Sequence, residues 1–238
     1  MITLRRASER RHERRRRHDV WHTFSAEGHR VDGADGADGF GELDGLADAR
    51  LGPQAVVLHE THYDAEIITY VREGSVACED SRAGASLLVA GEFQRRSVTR
   101  GERHSERNPS KRDSAHTFQV RLQTGDAGAP LDQEQKRFSA AERRGVLCLV
   151  ASSDARRGSL RICRDVSMHS ALLDPGQHVV HELSEGRGAW LHLIQGEASL
   201  GDVVLQTGDG ASVTADRVVS ITAREVTEIL LFDLRRAI

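Results

Sequence analysis

The chain has 238 residues, 38% of them hydrophobic and 29% charged, with a formal net charge of −3. That length can bury a substantial core, and that balance excludes wholesale disorder. No apolar run approaches the roughly 20 residues needed to cross a bilayer. The arginine-rich start also lacks the apolar region of a secretory signal, so a cytoplasmic protein without membrane contact is expected.

The charge is unevenly spread. Residues 1–18 carry eight arginines and two glutamates. Arg14–Arg17 have no interleaved aromatics and no nucleic-acid module beside them, so the run reads as a solvated face and no nucleic-acid partner is expected. The stretch Asp32–Gly45 follows, with Asp-Gly repeating every three residues. That period is wrong for a calcium loop with ligands at every second position, and the composition predicts a mobile surface loop.

From there the chain is a series of short β-rich runs: Ala55–Leu58, Glu66–Val71, Ser86–Val89, Thr117–Leu122 and Val146–Val150, then Ala189–Ile194, Val203–Gln206, Val218–Thr222 and Glu228–Phe232. Most are bounded by Gly, Asp or Ser, and many are spaced by about 8–12 residues, which predicts antiparallel strands in a sandwich or barrel. Helical periodicity is scarce. Cys78, Cys148 and Cys163 lie far apart without metal spacing, and buried free thiols are expected.

The chain also repeats itself. IITYVREGSV at 67–76 resembles WLHLIQGEAS at 190–199, which aligns Gly74 with Gly196. LVAGEF at 88–93 resembles LQTGDG at 205–210, which aligns Gly91 with Gly208. Each half therefore reads strand, glycine turn, strand, glycine turn, as expected of two copies of one β module. The polar stretch Gly125–Arg144 is the expected join, dividing the chain into 1–138 and 139–238.

Two short motifs carry the chemistry, ETH at 60–62 and HSE at 104–106. Side chains two apart on a strand share a face, so Glu60 projects with His62, and His104 with Glu106. If those strands are neighbours, two imidazoles and two carboxylates converge. Such a set suits one divalent transition metal, with iron expected first and manganese, nickel, zinc or copper as alternatives. By the same alternation His59 should face outward unless the strand bulges. In the second half, His178 and His181 stand three apart and no His-x-Glu follows Gly208, so that module is expected to be structural and metal-free.

The motifs WHTFS (21–25), EIITYVREG (66–74), AGEFQ (90–94), GERHSERNPS (101–110), SSDARRGSLRI (152–162) and ILLFDL (229–234) together resemble the pirin family of the cupin superfamily. The resemblance implies an all-β bicupin, two double-stranded β-helix barrels, with one metal in the first. The family pattern is His-x-His on one strand and His-x-Glu on another. His62, His104 and Glu106 match three positions, while Glu60 stands where the family has a histidine. Glu66, which supplies a carboxylate ligand in many other cupins, becomes a supporting residue here.

Two activities are implied. One is a dioxygenase cleaving flavonols such as quercetin or related small aromatic substrates, with Glu106, or Glu60 if it is not a ligand, as the base. The other is a non-enzymatic, metal-dependent regulator acting through a protein partner. A fold that hosts many activities does not choose between them.

Overall fold

The structure is a computed structural model that describes residues 1–24, 39–60, 64–80, 84–124 and 132–236. Strands dominate the regular structure of the described residues, which form two compact units. One comprises Arg10–Gly39 and Leu43–Arg137. The other comprises Phe138–Ile238 together with Met1–Glu9 and Phe40–Glu42. A division at 138/139 assigns these last two stretches differently. Pairing explains the first of them: β1 (Ile2–Arg5) hydrogen-bonds to a strand of the C-terminal half.

The N-terminal unit holds β2 (Arg11–Arg15), β3 (His18–Phe24), β4 (Leu43–Leu51), β5 (Val56–Glu60), β6 (Ala65–Glu73), β7 (Ser75–Asp80), β8 (Gly84–Val89), β9 (Glu92–Val98), β10 (Arg103–Arg107), β11 (Ala115–Gln123) and β12 (Gln133–Arg137). They form a seven-stranded sheet, β12-β9-β6-β11-β4-β3-β2, and a four-stranded sheet, β5-β10-β7-β8. A short helix α1 (Ala140–Arg143) follows, opened by a Ser139–Glu142 capping box that satisfies its first donors.

The C-terminal unit adds β13 (Cys148–Ser152), β14 (Leu160–Arg161), β15 (Val166–Leu173), β16 (His178–Glu182), β17 (Arg187–Gln195), β18 (Glu197–Leu200), β19 (Val203–Gln206), β20 (Gly210–Val213), β21 (Val218–Ala223) and β22 (Thr227–Arg235). Its sheets run β1-β20-β17-β22-β15-β13-β14 and β16-β21-β18-β19. The inner strands of both units follow one plan, the double-sheet arrangement of a bicupin.

In each unit the buried apolar cluster draws on both sheets. Val71 and Ala115 meet Val57, Val76 and Leu88 in one; Leu191 and Leu231 meet Val179, Leu205 and Ile221 in the other. Alternation sets this up, since strands covered on one side bury every second residue. The central strand β22 is buried from Thr227 to Leu234, with an apolar run Ile229–Phe232 flanked by the buried carboxylates Glu228 and Asp233.

The glycine turns recur as the repeat predicts. Gly74 and Gly196, with φ of +74° and +92°, each end the long strand of their unit. A Cβ on Gly74 would lie 2.8 Å from the Ser114 carbonyl oxygen, and one on Gly196 would lie 2.3 Å from that of Val226. Left-handed backbone and this close approach both require glycine.

Arg11–Arg15 is a strand whose arginines are exposed. Two expectations change. Of the Asp32–Gly45 stretch, residues 32–38 lie outside the described residues, while Leu43–Gly45 begin β4. Of the three thiols only Cys78 is buried; Cys148 is partly exposed and Cys163 exposed. Burial, and then the charge of Glu106, push the Cys78 thiol up to about 12, so it stays neutral.

Candidate metal centre

The site lies where β5 and β10 pair. Their antiparallel register sets His59 opposite His104 and Val57 opposite Glu106. Residues directly opposite in such a pair share a face, so all four side chains point to the unit's interior while Leu58 stays exposed. His104 and Glu106 are buried, at 5% and 3% exposure. The His59 ring stacks on His104 with centroids 4.7 Å apart. Its Nε2 is 3.6 Å from Glu106 Oε2.

Sequence reasoning thus placed His104 and Glu106 together, and so does the structure. It missed His59, which takes the inward position. The signal was local: Val57 begins an inward alternation that reaches His59. His62 and the Glu60 side chain lie outside the described residues; the Glu60 backbone pairs with Arg103. Glu66 is fully buried in β6, near the charge of Arg95, and is not in the three-residue group.

One donor atom from each of His59, His104 and Glu106 can be chosen so that all lie within 4.8 Å of one another. His59 Nε2 is buried and makes no hydrogen bond. A buried imidazole nitrogen that stops 3.6 Å short of a carboxylate, beside a second imidazole, is what a metal between them would satisfy. The residues fit a divalent transition ion.

Glu106 is set for that role. Burial alone would raise its pKa, but His59, Arg96 and His104 outweigh it and hold the carboxyl at about 2. Its other oxygen, Oε1, accepts a 2.6 Å hydrogen bond from Gln119 Nε2 on β11. Gln119 thus reaches from the larger sheet to fix a side chain on the smaller one, leaving Oε2 toward the histidines.

The cluster opens into a cavity of about 290 Å³. Val20, Phe24, Leu46, Ala47 and Ile67 supply apolar wall, and Arg11, Arg15 and Arg121 line it as well. His18 also faces the cavity; burial, then the charges of His59 and Arg15, hold it below the usual histidine range.

Residues 7–122 match the Pirin family, and residues 149–234 match the quercetinase C-terminal cupin domain. Quercetin 2,3-dioxygenase of Escherichia coli strain K12 is 35% identical over 238 residues, covering 98% of this chain and 99% of that protein. The chain belongs to the pirin family. Among solved structures, YhhW of Escherichia coli superposes with a TM-score of 0.86 at 34% identity, covering 100% of this chain and 99% of that one. The same bacterial pirin in complex with nickel(II) gives 0.85 at 34% identity over 100% of both chains.

Within the pirin pattern, the departure is now specific. On the pattern the resemblance implies, Glu60 stands where a histidine is expected, and His59 is one residue earlier. His59 enters the site by the plain alternation of β5.

Proposed function

We propose that this pirin is a metal-dependent dioxygenase acting on small polyphenol-type aromatic substrates in the cavity above His59, His104 and Glu106. The observation that carries this reading is the buried two-imidazole, one-carboxylate cluster at the end of a partly apolar cavity. Pockets of about 300–1,000 Å³ suit small organic ligands, and this one sits at the lower bound. The relative named as a quercetin dioxygenase and the relative solved with nickel support the same reading.

His59, His104 and Glu106 would hold the ion, with His62 and Glu60 as the further donors that the sequence offers. The mixed nitrogen and oxygen set suits iron, manganese, nickel or zinc, with iron expected first. A bound ion would supply Lewis acidity and an open position for a substrate oxygen.

The chain's own residues do the rest. Val20, Phe24 and Leu46 take up flat apolar rings and exclude water. Gln119 fixes Glu106 so that Oε2 is the available oxygen. Glu106 is ionised at any pH well above about 2 and is the proton acceptor for a substrate hydroxyl. So acidic a carboxyl is a weak base, and it suits phenolic or enolic hydroxyls better than aliphatic ones.

The test is elemental analysis of protein purified without added metal, followed by O2 consumption with a panel of flavonols and catechols. Near-stoichiometric metal with substrate-dependent O2 uptake is expected. Metal bound as tightly by a His59→Ala, His104→Ala double variant would overturn the assignment of the centre.

A further inference from the structure

The arginine-rich segment has no role in the reading above. On β2, alternation selects Arg11, Glu13 and Arg15 for one face, and these three line the cavity while His12 and Arg14 do not. The paired strand β3 adds His18 and His22 on the same side, and Arg121 comes from β11.

Asp44 Oδ1 lies 3.6 Å from Arg121 Nε, and one carboxylate serves these β2 and β3 side chains. Glu13 pairs with Arg11, lies 3.5 Å from Arg15 and 3.7 Å from His22. With Arg121 matched by Asp44, Arg11 and Arg15 set two guanidinium groups against Glu13 on β2, while Glu106 faces the histidines, where a divalent ion would add to the positive side. Glu13 also shows that a carboxylate is accepted between Arg11 and Arg15. Guanidinium forks match carboxylates in two-point geometry, whereas the remaining wall is apolar.

The geometry points to an anionic substrate: an aromatic carboxylate whose ring lies against Val20 and Phe24 and whose carboxylate meets Arg11 and Arg15, the specificity-determining residues. This rests on the cavity being the substrate site and narrows its substrate class.

The experiment is calorimetric titration of the full chain, metal-loaded and chelator-treated, with 2-hydroxybenzoate and its uncharged analogue 2-hydroxybenzamide. The acid should bind at least about tenfold tighter, and should weaken as salt is raised, since both arginines are partly exposed. Arg11→Gln with Arg15→Gln should remove that preference. Arg16→Gln, which deletes a charge that does not line the cavity, should leave it intact.

Equal binding of acid and amide to the parent protein would overturn the proposal without any variant. So would an acid preference that vanishes on chelation, because the ion rather than the arginines would then hold the carboxylate. An Arg16→Gln variant losing as much as the double variant would also overturn it, by showing a diffuse charge effect. Preference for the acid without O2 uptake would sink the dioxygenase reading and leave this one standing.

Discussion

The two units build the same strand pair and use it differently. In the N-terminal unit β5 meets β10, with Val57 opposite Glu106 and His59 opposite His104. In the C-terminal unit β16 meets β21, with Val179 opposite Ile221 and His181 opposite Val219. The first strand is nearly the same in both, VLHE at 57–60 and VVHE at 179–182. The second strand differs: Val219 and Ile221, both fully buried, stand where the other unit has its imidazole and carboxylate.

His181 then turns elsewhere. Its Nε2 donates to Asp233 Oδ2 at 2.8 Å, and Arg187 donates to Asp233 Oδ1. His169 lies beside it, ring centroids 4.9 Å apart. Asp233 is held by a guanidinium and an imidazole, whereas Glu106 is held on one oxygen by a neutral amide. A histidine at this strand position is therefore not a ligand by itself; the neighbouring strand decides its use.

Four experiments test that contrast. The largest effect is expected from His104→Ala or Glu106→Ala. Each should lower metal affinity by more than about 100-fold, beyond what supporting residues cost, with little change in the stability of chelated protein. Metal content and urea melts of the same samples check both halves. Arg187→Ala should do the reverse, costing about 3 kcal/mol by leaving the buried Asp233 carboxylate with the His181 imidazole alone, with metal content unchanged. A loss of metal in that variant would break the comparison.

Gln119→Leu comes next. It should weaken metal binding by about tenfold, because Oε1 of Glu106 loses its donor and the carboxylate can rotate. Competition against a chelator would measure this, and an unchanged constant would show that Gln119 only fills space. The smallest effect concerns pH. Burial, then the charge of His181, hold His169 at about 4, below its usual value. Between pH 6.5 and 4 the unfolded chain binds the extra proton, so stability falls as pH falls through that window. At pH 5.5 the cost relative to pH 7.5 is about 1 kcal/mol. His169→Phe should remove that difference, and identical pH dependence in parent and variant would refute it.

Much of this was legible in the sequence. Alternating apolar runs gave most inner strands, and the paired glycines at 74/196 and 91/208 gave the repeat, because their left-handed backbone admits little else. His104 and Glu106 were readable because His-x-Glu on a strand shares a face. His59 was not, since extending the alternation from Glu60 and His62 puts it outside, whereas extending it from Val57 puts it inside. The arginine strand was hidden for another reason. RHERR alternates between cavity and solvent with charged groups on both sides, so hydropathy carries no period there.

The position of β1 has a consequence for how the chain is made. Ile2–Arg5 pair with Gly210–Val213, residues more than 200 positions later. During synthesis, this strand emerges some 200 residues before its partner. Until then it carries unmatched backbone donors and acceptors, and closing so long a loop is slow. The sheet that the two strands share can be completed only once Gly210–Val213 has been made, which makes the fate of Ile2–Arg5 a timing problem for folding in the cell.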